Sequence, residues 1–238
     1  MPKNNQKFAS MLFTLLIPYI VSILVATVVA IVRTRGFYPA IPRKENPEAW
    51  DHYYGMLFLT SYLAINFVTE TVGVIMARNN FYNHYLYAIN ILLTQLTLVA
   101  CFCYFTRLNR LMIAYGVLML SLSLYIYADN AYWRPDTVMP QSVYAGNFAV
   151  VSIASMLFGG INMYYATQSN KHRSYWGLAL ICVCYNVYGQ MSNSFLFGET
   201  IAEILQVNEL YFYLFIYGTY YMAIAWYLAK YKIAANAR

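Results

Sequence analysis

Apolar residues gather in seven long stretches: Phe8 to Val32, Met56 to Ala77, Tyr82 to Phe105, Leu111 to Ala128, Ser142 to Ala166, Tyr175 to Phe197 and Leu210 to Tyr231. Short polar segments separate them. A helix rising 1.5 Å per residue needs roughly 20 mainly apolar residues to cross about 30 Å of hydrocarbon, so each stretch predicts one membrane-spanning α-helix. The expected fold class is all-α: a polytopic membrane protein of seven transmembrane helices. The fourth stretch is the shortest; without it there would be six spans and both termini on one side. No Pro-rich, Ser-rich or charged linker divides the chain, so residues 1–238 are read as a single transmembrane domain. The longest connections, Arg33 to Gly55 and Asp129 to Gln141, carry prolines and are expected to form ordered irregular caps.

Composition agrees, since 61% hydrophobic and 10% charged residues, with a mean hydropathy of +0.47, leave too little polar surface to coat a water-soluble globule. Charge then gives the orientation, because Lys and Arg are retained on the cytoplasmic side during insertion whereas Asp and Glu matter little. Eleven of the fifteen bases fall on one set of alternating segments: Arg33, Arg35, Arg43, Lys44, Arg107, Arg110, Lys171, Arg173, Lys230, Lys232 and Arg238. The opposite set holds Lys3, Lys7, Arg78 and Arg134. The N-terminus is therefore expected outside and the C-terminus in the cytoplasm, with the chain in the cytoplasmic (inner) membrane. A six-span layout would break the alternation. The net charge of +6 is accounted for by insertion, which sets nucleic acid aside as a partner. Lys3 and Lys7 precede an apolar stretch, as in a secretory signal. That stretch is about 25 residues long against the 7 to 15 of a signal core, and no small-residue cleavage site follows, so it reads as a retained first helix. Many of the 26 tyrosines, and all four tryptophans, sit near span ends where amphipathic rings anchor at headgroup level.

Polar side chains inside the spans carry the candidate chemistry, because each is costly in hydrocarbon unless paired or facing a wet cavity. Glu70 is the one carboxylate well inside a stretch, seven residues or about 10 Å from the outer end of the second span. Asn66 lies one turn away on the same face. The sixth span carries Asn186, Gln190 and Asn193 as a polar stripe, and Gln190 is expected at the depth of Glu70. The third span adds Asn90, Thr94 and Thr97, the fifth Asn147, and the seventh Tyr213, Tyr217 and Tyr220. Together they predict an outward-facing polar and aromatic cavity formed by the second, third, fifth, sixth and seventh spans. Its candidate ligand-binding residues are Glu70, Asn66, Asn90, Asn147, Asn186, Gln190, Asn193, Tyr213 and Tyr217. The bland alternative is that such amides merely hydrogen-bond between helices, worth on average about 0.6 kcal/mol each. A lone carboxyl is harder to explain that way, and Glu70 is expected to be protonated or ligand-paired at neutral pH.

Asn66-x-x-x-Glu70 and Asn186-x-x-x-Gln190 occupy equivalent places if the chain is two three-helix units joined by the fourth span. Parallel units of that kind are related by an axis along the membrane normal, as in sugar-transporter-like folds. The Pro-Gln kink of that fold is missing from both units; Pro140-Gln141 precedes the fifth span instead.

Several chemistries are excluded by absence. The last span has no mid-membrane Lys for a retinal linkage. His52 and His172 are read as loop residues and His84 as near the outer surface, so intramembrane haem or zinc ligation is not expected. Paired groups for intramembrane proteolysis are lacking, so the chain reads as no enzyme and as needing no cofactor. Cys101-x-Cys103 and Cys182-x-Cys184 place neighbouring thiols about 200° apart on a helix and read as packing residues. Gly159-Gly160 offers close helix approach, and the acidic segment Gly198 to Asn208 reads as an outer loop that lids the cavity or lies at the interface.

The segments Thr69-Glu70-Thr71-Val72-Gly73 and Asn79 to Tyr87 resemble those of uncharacterised seven-helix integral membrane proteins of Bacteroidetes-type bacteria. The final Ala223-Ile224-Ala225-Trp226-Tyr227-Leu228-Ala229-Lys230 is similar to theirs as well. The resemblance covers about two of the seven spans and the rest by layout. Those proteins look like membrane-embedded sensory regions found beside or fused to histidine kinases, so it implies sensing. The leading expectation is a membrane sensor or receptor-like module that takes an unknown small ligand and acts through a separate cytoplasmic signalling protein, its own cytoplasmic segments being too short for an output domain. One alternative is a small-solute or proton-coupled transporter with Glu70 as coupling site. Another is a structural subunit that meets lipid or other membrane subunits.

Overall fold

A computed structural model describes residues 3–79, 81, 83–129, 141–168, 175–193 and 209–230. Those residues form seven α-helices and no strand: α1 Lys3–Gly36, α2 Pro47–Arg78, α3 His84–Phe105, α4 Arg110–Asp129, α5 Gln141–Thr167, α6 Trp176–Asn193 and α7 Glu209–Lys230. Four of them, α1, α2, α3 and α5, are long and apolar enough within the described residues to cross a membrane. The shorter apolar helices Arg110–Tyr125 and Trp176–Asn186 lie in α4 and α6.

Each helix falls on one of the seven apolar stretches, but α1 and α2 reach further than hydrophobicity predicts. The expected loop from Arg33 to Gly55 shrinks to residues 37–46. The reason is local: Asn46 caps α2, its side chain accepting from the Ala49 N–H at 3.1 Å, and Pro47 follows as a first-turn residue preset for helix. His52 consequently stands in α2 and is buried, not in a loop. Between α3 and α4 the turn is tight, with Arg107 and Leu108 both left-handed (φ 56° and 54°) and the Leu108 N–H closing onto the Cys103 carbonyl at 2.7 Å.

Packing closes a ring in the order α1, α2, α3, α5, α6, α7 and back to α1, while α4 rests outside against α3 and α5. On α1 the small or polar Ser22, Ala26, Thr27, Ala30 and Thr34 face inward, and Ile17, Val21, Leu24 and Val28 face out. The distribution is inverted relative to a soluble bundle. Asn162, Ser155 and Thr106 are fully buried, whereas Leu111, Leu118, Phe215 and Trp226 are each more than 60% exposed. Continuous apolar faces of that size are rare on soluble monomers and suit a lipid solvent.

Small residues set the helix spacing. A Cβ on Gly55 would stand 2.4 Å from the Phe105 ring, and one on Gly159 3.3 Å from Val183, so α2 meets α3 and α5 meets α6 at close range. Buried polar side chains lock these contacts. The Asn162 amide accepts from the Tyr175 N–H at 2.7 Å, so α5 caps the start of α6. The Tyr115 hydroxyl donates to the Val150 carbonyl at 2.8 Å, tying α4 to α5. At one end of the bundle the Arg33 guanidinium donates to the Ala229 carbonyl and Arg107 pairs with Glu48. The C-terminal ends of α1, α3 and α7 are thereby held beside the start of α2. Next to them His52 meets the Tyr175 hydroxyl through Nδ1 and packs edge-on to Phe37, and the rings of Phe105 and Tyr175 stack at 4.2 Å.

Candidate functional site

Toward the opposite end of the bundle the helices enclose open space. A cavity of about 390 Å³ runs from Tyr62, Leu98 and Tyr221 at mid-bundle to Ala77 and Asn83 at the α2–α3 turn. Along α2 that is fifteen residues, or roughly 22 Å. Its floor is packed: Ile23, Leu59, Phe102 and Ile224, each about one turn further along its helix from a lining residue, are all buried to within 1%. In that floor the ring of Phe102 stacks on that of Phe158 at 4.3 Å.

Glu70 projects from α2 into this space. Its Oε1 accepts from the Tyr19 hydroxyl of α1 at 3.1 Å and its Oε2 from the Tyr87 hydroxyl of α3 at 3.2 Å. One carboxyl thus bridges three helices. Tyr87 reaches it by passing over Gly73, where a Cβ would lie 2.6 Å from the tyrosine oxygen. The described residues contain two ion pairs, Arg43–Asp51 and Arg107–Glu48, and neither involves Glu70. No Lys, Arg or His is among the described residues that line the cavity.

The amides stand around the carboxyl. Asn66, 8% exposed, donates to the Tyr62 carbonyl at 2.8 Å and keeps its face on the cavity. Asn90 of α3 accepts from the Thr69 hydroxyl at 3.1 Å, which fixes α3 against α2 beside Glu70. Across the ring, Asn186 of α6 donates to the Cys182 carbonyl at 2.8 Å and to Ser155 Oγ at 3.2 Å. Asn66 and Asn186 each bond the carbonyl four residues back, as Asn162 and Asn79 also do, so that bond does not mark a repeat of two three-helix units. Tyr217 of α7 lines the same cavity.

Five of the nine residues singled out from the sequence, Glu70, Asn66, Asn90, Asn186 and Tyr217, are thus brought onto one cavity. The side chains of Asn147, Gln190, Asn193 and Tyr213 lie outside the described residues, as does the segment from Gly198 to Asn208. The helix roster needs a correction, because α1 also lines the space through Leu16 and Tyr19. Tyr19 escapes sequence reasoning since an isolated Tyr in an apolar run has the look of packing or anchoring; only the α1–α2 contact shows what its hydroxyl meets. Tyr62, Tyr87 and Tyr221 were missed for the same reason. Thr97, expected on the same α3 face as Asn90, instead bonds its own helix at the Leu93 carbonyl, 2.8 Å away. Tyr220 turns into the core. Cys101 and Cys182 are buried and free, and the described residues contain no cluster of His, Cys, Asp or Glu suited to a metal ion.

No protein-family model, curated protein or solved structure matches the chain.

Proposed function

We propose that the chain is a membrane sensor or receptor-like module that crosses the cytoplasmic membrane seven times, N-terminus outside, and takes a small ligand into the outward-facing cavity around Glu70. The orientation rests on the bases. Arg33 and Arg107 and their neighbours gather at the end of the bundle away from the cavity, as retention of Lys and Arg on the cytoplasmic side requires. On this assignment the cavity faces outward and the basic end meets a separate cytoplasmic signalling protein.

The observation that carries the reading is a cavity that ends on a packed floor, its described lining stopping at Tyr62, Leu98 and Tyr221. The polar side chains placed to continue a path inward are committed elsewhere. Ser152 donates to the Asn186 carbonyl at 2.8 Å, Ser155 to the Val151 carbonyl at 2.8 Å, and Asn162 is the cap of α6. They hold α5 to α6 and are not among the described residues that line the cavity.

The test is a ligand screen by thermal shift on the detergent-solubilised protein, followed by uptake measurement in proteoliposomes. A receptor gives a ligand that raises Tm but does not accumulate in the vesicles. Accumulation that disappears in Glu70→Gln would overturn the sensor reading and return a carrier with Glu70 as its coupling site.

A further inference from the structure

We infer that the cavity selects a small organic cation, a substituted ammonium group whose positive charge is taken by Glu70 and whose alkyl substituents lie among tyrosine rings. This rests on the cavity being a binding site, as proposed above, and adds the chemical class of what enters it.

The argument begins with charge. The described lining carries one ionisable acid and no base, and neither ion pair among the described residues reaches Glu70. The two partners it has, Tyr19 and Tyr87, are neutral hydroxyl donors, one to each oxygen. Neutral donors hold the carboxyl in place, yet they bring no charge to balance its own. In a cavity walled by packed helices such a charge is costly, and a bound cation removes that cost while an anion adds to it.

The walls agree with the charge. Beside Tyr19 and Tyr87, the rings of Tyr62, Tyr217 and Tyr221 line the same space. Aromatic faces attract cations through the ring quadrupole, and alkylated ammonium ions, being weakly hydrated, gain most from such surroundings. Tyr221 packs between Tyr19 and Tyr220 with centroids at 6.2 and 5.2 Å, so its ring is fixed before any ligand arrives. Asn66, Asn90 and Asn186 present amides to the same cavity, able to take a hydroxyl or carbonyl substituent of the ligand. A volume of about 390 Å³ lies at the lower end of the range typical of small-molecule sites.

The experiment compares a positive charge with its absence at constant shape. Choline and its neutral isostere 3,3-dimethylbutan-1-ol, together with a series from methylammonium to tetraethylammonium, are titrated into the purified full-length protein by calorimetry and thermal shift. The expected result is that at least one cation of the series binds, and that choline binds at least tenfold more tightly than the isostere. Glu70→Gln should cut the affinity of the best cation by tenfold or more. Tyr87→Phe should cut it less, because the carboxylate remains. If Glu70→Gln does not yield folded protein, the choline and isostere pair on the unaltered chain decides alone. Equal binding of the two, preference for the isostere, or no binding by any cation of the series overturns the cation assignment. The sensor reading fails separately: uptake of the bound cation into proteoliposomes overturns that reading and leaves the ligand class standing.

Discussion

At Gly73 a missing side chain lets another one work. Tyr87 crosses α2 there on its way to Glu70, and a methyl group would meet its hydroxyl at 2.6 Å, well inside van der Waals contact. Gly73→Ala is therefore expected to push the tyrosine away from Oε2 and break that hydrogen bond. Overpacking of this kind typically costs about 1–3 kcal/mol, with the lower end fitting a movable ring edge at a cavity wall. Cation affinity of Gly73→Ala should fall by about as much as in Tyr87→Phe, and the double variant should be no worse than either alone, since both remove one interaction. Calorimetric titration of the three variants checks it; additive losses would show that Gly73 acts on something other than Tyr87.

Helices differ in how openly the sequence declares them. Runs of about 20 apolar residues marked α3, α5 and α7 to within a few residues, because the thickness of hydrocarbon dictates both length and composition. The extension of α2 back to Pro47 was hidden, since outside the membrane a cap and a proline decide where a helix starts, and hydropathy does not register them. The same limit applied to the site. Glu70, Asn66, Asn90 and Asn186 are conspicuous as polar groups in apolar stretches, whereas Tyr19 and Tyr62 are the same residue type as the tyrosines that anchor span ends or fill the core. What separates them is which helix lies opposite, and that is tertiary information. α4 carries an expectation of its own. Val117, Leu118 and Leu124 are exposed while Met112 and Ser123 are buried, so its outer face should meet acyl chains. With single cysteines on a cysteine-free background, a lipid-phase thiol reagent is expected to modify Leu118→Cys and Leu124→Cys and to spare Ser123→Cys. Equal modification by a water-soluble reagent would mean that this face is bathed in water.

For the molecule as a whole, the arrangement predicts which end each turn occupies. Phe81, in the α2–α3 turn, is 66% exposed beside the cavity mouth, and Leu108, 38% exposed, sits in the α3–α4 turn beside the Arg107–Glu48 pair. On the same cysteine-free background, a membrane-impermeant maleimide should label Phe81→Cys in intact cells and Leu108→Cys only after permeabilisation. The reverse pattern would invert the bundle and turn the cavity toward the cytoplasm. The attachment of Glu70 to two tyrosines bears on what happens when the cavity fills. Its oxygens are shared between α1 and α3, which flank α2 on either side. A cation seated on those oxygens adds its charge to a contact that already holds α1 and α3, and so tightens both outer helices on α2. Those helices lead to Arg33 and to the turn that holds Arg107, so on the proposed reading a filled cavity bears on the arrangement of positive charge at the other end of the bundle.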